Sequence, residues 1–497
     1  MWIYYFLTLI IILYVTFKLF SNRVHNYWKK YGFNSATSSE IKQGSKNYPT
    51  SIKKGGIECL TYKYFKDLGL PIGGTFEALN PQLYVTDAAL AKKIMVEDAH
   101  HFVDRRELYE PQRNPLLGRM LSFRRGDEWK RLRSLLSPAF TPAKMKDIFP
   151  LFIENCQQLV ATIEITNKDY PVRLDIHETI GRFTMDVISS TVFGIRTESQ
   201  TNNDSIFYEM GKKLQVLTLK LVFARITAKF LPKLAKFLHI STFDTSALEF
   251  FAQTTKNIVQ ERNKSGVINR RRDMIDILLS NNASGELSED DIVSQAVLFY
   301  ILGFDTTNSL LEICCIVLAN HPKIQEKLRR EVADSGFDEH GNTNSYEVLT
   351  EMPYMNKVIT ETLRLYPPST RTERLCTTEY LVPGTNLTIP INSQIVIPIY
   401  ALQTDPDLWE DSHKFLPERC CTNQSAYNPF GAGPRSCLGK RFALDLCKIT
   451  LASILHCYEI LPDNDNVGSV DVSDLLVYRV GSIKIKDGIH LKFKSRK

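Results

Sequence analysis

The longest unbroken apolar run lies at the amino terminus. Met1–Leu19 reads MWIYYFLTLIIILYVTFKL, with Lys18 its only charged side chain. A helix of that length is about enough to span a bilayer. Trp2, Tyr4, Tyr5 and Tyr14 lie towards its ends, as interfacial aromatics do. Residues 21–50 are polar and serine-rich and predict a linker. Further on, period-two alternation marks strands. Thr75–Leu79 and Gln82–Val85 flank the turn dipeptide Asn80-Pro81 and predict a hairpin. Short strands are expected within Tyr380–Ile399, around Pro383-Gly384 and Pro390. The stretch Ile483–Phe493, IKIKDGIHLKF, predicts a hairpin turning at Asp487-Gly488. Most of the remaining chain has helical spacing. Asp87 caps a helix starting at Ala88. Thr179–Ile195 is an apolar helix whose Asp186 reads as packing. Ser288-Glu289-Asp290-Asp291 resembles a capping box, and the helical pattern after it runs to about His321, where Pro322 stops it. At the helical rise that helix is roughly 45–50 Å long. The pattern as a whole predicts a mainly α protein with small β-sheets.

Polar residues inside these patterns ask for a reason. The long helix holds Gly303, Asp305, Thr306 and Thr307 at its middle. Gly303 weakens it, and a threonine hydroxyl diverts a backbone carbonyl, so a kink is expected there. An unpaired Asp305 in such apolar sequence would be costly. Trp129 and Arg133 are four apart and share a helix face, and Glu361 and Arg364 are three apart and do the same. The densest anomaly is Pro429–Leu444, PFGAGPRSCLGKRFAL. Gly431, Gly433 and Pro434 exclude regular structure before Ser436 and Cys437, and a helix follows Gly439. A cysteine at a helix mouth, with Arg435 nearby, favours the thiolate. That thiolate is a nucleophile or a metal ligand. No neighbouring His or Cys completes a zinc site, and C-x-x-C is absent throughout. One thiolate behind an open loop suits axial ligation of haem iron.

Composition narrows the partners. The chain has 497 residues, 43% hydrophobic and 23% charged, with a net charge of +6, which is too mild to argue for nucleic acid. Ten cysteines over this length, two pairs of them adjacent, read as core residues in a reducing compartment. Lys18, Arg23, Lys29 and Lys30 follow the apolar run, so the positive-inside rule leaves the body in the cytosol. No nucleotide-binding glycine loop is present, so the chain lacks an NADPH or flavin module of its own.

The run Phe430-x-x-Gly433-x-Arg435-x-Cys437-x-Gly439 resembles the haem-binding loop of cytochromes P-450, with all five signature positions matched. Five further motifs follow the same family order, over roughly residues 50–497. The resemblance implies a transmembrane anchor over 1–20, a linker over 21–50 and a haem-binding monooxygenase domain over 51–497. It implies haem b with Cys437 as axial ligand, and Arg105, Trp129, Arg133 and Arg374 as partners of its propionates. It implies oxygen activation by Thr306, with Asp305 relaying protons. Leu302 departs from the family's small residue at that position and narrows the distal side. Glu361 and Arg364 would form a buried ion pair with Arg419. Leu302, Phe304, Ser369, Thr370 and Arg371 would edge the substrate pocket. Lys212–His239 falls where the family has a lid that dips into the membrane.

The activity implied is insertion of one oxygen atom of O2 into a lipophilic steroid, fatty acid or xenobiotic at the endoplasmic reticulum membrane. Electrons would come from NADPH through NADPH–cytochrome P-450 reductase, with cytochrome b5 as a further partner. Lys130, Arg131, Lys440 and Arg441 would form a docking face for an acidic flavoprotein. The motifs around Trp129 and Glu361 are most similar to the animal microsomal drug- and steroid-oxidising clan. Two other classes of haem-thiolate protein, an isomerase or dehydratase and a non-catalytic sensor, have no use for the Asp305–Thr306 pair.

Overall fold

A computed structural model describes residues 26–497 except 78–79, 107–113, 166–170, 216–218, 231, 239, 242, 266–272, 283–284, 339–342, 344, 351, 420–424, 464–470, 480 and 497; four isolated residues of the first 25 are also described. The expected amino-terminal anchor lies outside these residues. Among them, one helix is long and apolar enough to cross a membrane, Glu289–Asn320, and most of its apolar window is buried inside the protein. It is the central helix of the fold.

This core helix starts as its sequence predicts. The Ser288 hydroxyl accepts from the Asp291 N–H, and the Asp291 carboxylate accepts from the Ser288 N–H. That reciprocal cap satisfies donors which a helix start leaves unpaired. The helix runs unbroken to Asn320, and Pro322 opens the next. The expected diversion of a carbonyl is present: Thr306 Oγ1 donates to the Leu302 carbonyl at 2.6 Å. Helices Ile176–Ile188, Thr245–Ser265 and Lys440–Cys457 pack around the core helix. Asp186 does more than pack. Buried in its helix, it accepts from Thr197 Oγ1, from the N–H groups of Ser199 and Gln200, and from Gln200 Nε2. A buried carboxylate is tolerated with such a set of donors.

Strands β1 (Ile72–Glu77), β2 (Asn80–Val85), β4 (Thr372–Leu375) and β7 (Gln394–Ile397) form one sheet in the order β1-β2-β7-β4. The β1–β2 hairpin is as expected, but Asn80 and Pro81 lie inside β2, opposite Glu77 and Phe76, and are not its turn. The polar stretch 21–50 also behaves differently from a linker after Tyr27. Trp28, Phe33, Ala36 and Ile41 are buried, and Trp28 Nε1 donates to the Thr75 carbonyl of β1. Four apolar side chains spaced through polar sequence suffice to dock this segment on the sheet.

The carboxyl-terminal strands do not pair as a single hairpin. Ser482–Ile485 (β10) pairs with Leu476–Arg479 (β9), and His490–Ser495 (β11) lies between Val172–Asp175 (β3) and Tyr458–Pro462 (β8). The two halves of IKIKDGIHLKF are strands, but of different sheets. Alternation shows which face a strand buries and does not choose its partner.

Candidate functional site

The loop before the helix Lys440–Cys457 is held by its own backbone. The Cys437 N–H donates to the Phe430 carbonyl at 2.9 Å, and the Ser436 N–H to the Gly433 carbonyl at 3.0 Å. Gly433 has φ +69°, and a Cβ there would lie 1.8 Å from the Met95 carbonyl oxygen. Only glycine fits a loop pressed this closely on another backbone. Phe430 is half-buried, with Lys440 Nζ 5.7 Å from its ring centre. The Cys437 sulfur has accessible surface, yet burial is the strongest influence on it and pushes the thiol up. It is therefore accessible yet closely surrounded by protein. The Gly439 N–H and the charges of Arg133, Arg105 and Lys440 pull the other way. The helix-mouth position expected to favour the thiolate is thus opposed by burial. A metal ligand overcomes that opposition, because coordination removes the thiol proton.

Guanidinium groups, two of them buried and two half-buried, gather near this sulfur. Arg435 Nε donates to the Val103 carbonyl, one of its terminal nitrogens lies 3.4 Å from Asp104, and its head sits 3.7 Å from the Trp129 ring centre. Arg133 donates to the Ser436 carbonyl at 2.8 Å. Arg374 is buried and, among the described residues, reaches Thr372 Oγ1 and the carbonyls of Glu373 and Ala432. Arg105 Nε is buried with no hydrogen-bond partner among the described residues. Among the described residues, Asp104 is the one carboxylate paired with any of the four. Burial and mutual repulsion push Arg374 and Arg435 down to about 9. An excess of buried positive charge around a thiol, with an orphaned guanidinium nitrogen, fits a metal macrocycle bearing two carboxylates. Haem b has that chemistry.

The core helix presents a second group. Leu302 is 48% exposed in the middle of this mostly buried helix, and Asp305 and Thr306 are half-buried beside it. Residues three and four apart share a helix face, so these three line one strip. Phe304 does not belong to that strip. Two positions from Leu302, it points about 200° away. It is buried against Tyr300, near Gly211, and serves as core. Asp305 is not left alone, as its sequence surroundings suggested: it is ion-paired with Lys484 of β10. Lys484 was not foreseen, because a lysine between Ile483 and Ile485 reads as the solvent side of a strand.

Two of the residues expected at the pocket edge are turned elsewhere. Thr370 is buried and donates to Glu58, and Arg371 lies between Glu58, Glu77 and Glu373. A guanidinium held by three carboxylates is committed to the scaffold. Ser369, half-buried, forms a bridge to Ser482. The expected ion-pair network is assembled. Arg364 grips Glu361 with two nitrogens, each at 2.8 Å, and Arg419 approaches the same carboxylate at 3.3 Å. Arg364 also donates to the carbonyls of Gln403, Ser412 and Lys414.

Comparison with known proteins agrees with this chemistry. A family model described as Cytochrome P450 matches residues 62–486. The chain is 34% identical to Cytochrome P450 9e2 of Blattella germanica, over 78% of this chain and 79% of that protein. It is 33% identical to Cytochrome P450 3A11 of Mus musculus, over 89% and 88%, and 29% identical to the Probable cytochrome P450 6a13 of Drosophila melanogaster, over 95% and 94%.

Proposed function

The chain belongs to the cytochrome P450 family, haem-thiolate monooxygenases, and from that premise we propose that it oxidises a lipophilic small molecule at the endoplasmic reticulum membrane with electrons from NADPH through a separate reductase. The reaction is RH + O2 + NADPH + H+ → ROH + H2O + NADP+. Haem, when bound, supplies the oxygen activation and the oxidation of the C–H bond. The observation that carries the assignment of the site is the accessible Cys437 beside four guanidinium groups of which, among the described residues, only Arg435 is paired with a carboxylate.

Each residue then has a role in its own chemistry. Cys437 would supply the thiolate that holds the haem iron, and the Gly439 N–H would steady the sulfur charge. Arg105, Arg133 and Arg374 would bind the propionates, and Trp129 keeps Arg435 in place by stacking. Thr306 holds a proton at Oγ1, which its bond to the Leu302 carbonyl orients. Asp305, in the same strip, delivers protons to it. Leu302, the most exposed side chain there, contacts substrate and sets the depth of the pocket. The exposed Leu302 gives this face an aliphatic surface that favours apolar compounds. Phe223, Ile226, Leu234, Phe237 and Leu238 are exposed and supply apolar surface suited to a membrane. Lys440 and Arg441 are exposed just after the cysteine loop and favour an acidic reductase.

Reconstitution with purified reductase and a panel of steroids, fatty acids and xenobiotics tests the reaction. The expected result is substrate-dependent NADPH consumption with hydroxylated product. Haem binding without any reductase-dependent product would favour an isomerase or a sensor. Cys437→Ala should abolish the red-shifted absorption band of the reduced CO complex, and a retained band would refute ligation by this residue.

A further inference from the structure

Asp305 and Lys484 are 179 residues apart in sequence and meet across the pocket side of the core helix. Among the described residues, each is the one ion-pair partner of the other. Lys484 projects from β10 between the buried side chains Ile483 and Ile485. The β9–β10 hairpin is tethered on its other side. The Ile483 N–H donates to the Pro368 carbonyl, the Thr370 N–H to the Gly481 carbonyl, and the Gly481 N–H to Glu58. The hairpin is therefore fixed to the Pro368–Thr370 stretch and to Glu58 on the helix Gly56–Asp67, and Lys484 joins it to the core-helix residue in the strip of the exposed Leu302.

We propose that Lys484 is a positioning residue that latches the β9–β10 hairpin to Asp305, and that substrate entry opens the latch and frees Asp305 to pass protons. This rests on the monooxygenase reading above. The ion pair with the ammonium group holds the carboxylate in one place. To take a proton from solvent and hand it towards Thr306, Asp305 has to leave Lys484. A bulky ligand along Leu302 displaces the adjacent hairpin and supplies the reason to leave. With the pocket empty the latch is closed and the enzyme is spared the wasteful reaction O2 + NADPH + H+ → H2O2 + NADP+.

The test uses the full chain, loaded with haem and mixed with reductase, as wild type, Lys484→Met, Lys484→Arg and Asp305→Asn. Two quantities are read without substrate: hydrogen exchange of residues 476–485, and peroxide released per minute. Removing a half-exposed ion pair should speed exchange of the hairpin about two- to fivefold in both Lys484→Met and Asp305→Asn. Peroxide release should rise severalfold in Lys484→Met only, since Asp305→Asn opens the hairpin but removes the relay. Lys484→Arg should restore both quantities. Unchanged exchange in Lys484→Met overturns the latch. Faster exchange with unchanged peroxide, or equal leakage from Asp305→Asn, overturns the gating and leaves a simple staple. A wild type that binds haem yet consumes no NADPH with reductase defeats the monooxygenase reading; hairpin exchange, which needs no turnover, then decides the latch by itself.

Discussion

Gly433 shows how tightly single residues are constrained at this site. An added methyl group would overlap the Met95 carbonyl, so one backbone would have to shift. Gly433→Ala is expected to cost about 2–3 kcal/mol through overlap and strain at positive φ, and to release haem faster. A urea midpoint and a haem-loss rate within error of wild type would contradict this. The residue scale is also where local spacing reads best. Cys437, Gly433 and Arg435 declare themselves within ten positions, because turn chemistry and charge act between sequence neighbours. Leu302 and Phe304 mark its limit. Both are large and apolar in one helix, and only the packing of Tyr300 and Gly211 decides that Phe304 is core.

At the scale of elements, the core helix carries a second buried carboxylate with a consequence for pH. Glu312 accepts from Asn308 Nδ2 at 2.6 Å and lies 2.8 Å from Nδ1 of His177, on the helix Ile176–Ile188. Its bond to Glu312 pushes His177 up, and burial pushes Glu312 up against the pull of His177. Both groups thus hold protons more tightly folded than unfolded. That contribution to stability is complete below their unfolded values and is lost as pH rises through the folded ones. The urea midpoint should fall between about pH 5 and pH 8, by an amount worth roughly 1 kcal/mol because His177 is partly exposed. Glu312→Gln should flatten the slope; equal slopes in the two proteins would refute the link. The caps and extents of helices were legible here, since they depend on residues a turn apart. The pairing of β10 and β11 was not, because register and partner depend on surfaces far away in the chain.

At the scale of the whole molecule, four elements far apart in sequence converge on one pool of positive charge. Arg105 and Arg133 come from the amino-terminal half, Arg374 from β4, and Arg435 from the cysteine loop. For Arg374 and Arg435 the folded value of about 9 is below the unfolded one, so the folded chain binds fewer protons there. Without haem, stability should therefore rise as pH passes about 9, and a bound dicarboxylate should remove that rise by restoring the proton affinity. Haem whose propionates are methyl esters should bind more weakly, by tenfold or more, and leave the rise in place. Denaturant midpoints at pH 8 and pH 10 for the three preparations make the check.

By itself the sequence determined the cysteine loop, the capped core helix, the Glu361–Arg364 spacing and, through them, the family and its cofactor. All are short-range, written in turn residues and helical spacing. Tertiary structure decided the rest. It turned Arg371 and Thr370 into a buried ionic scaffold, divided the last two strands between two sheets, and brought Lys484 to Asp305. Periodicity tells which side of an element is apolar. Which polar groups meet once those sides are buried depends on the packing of the whole chain.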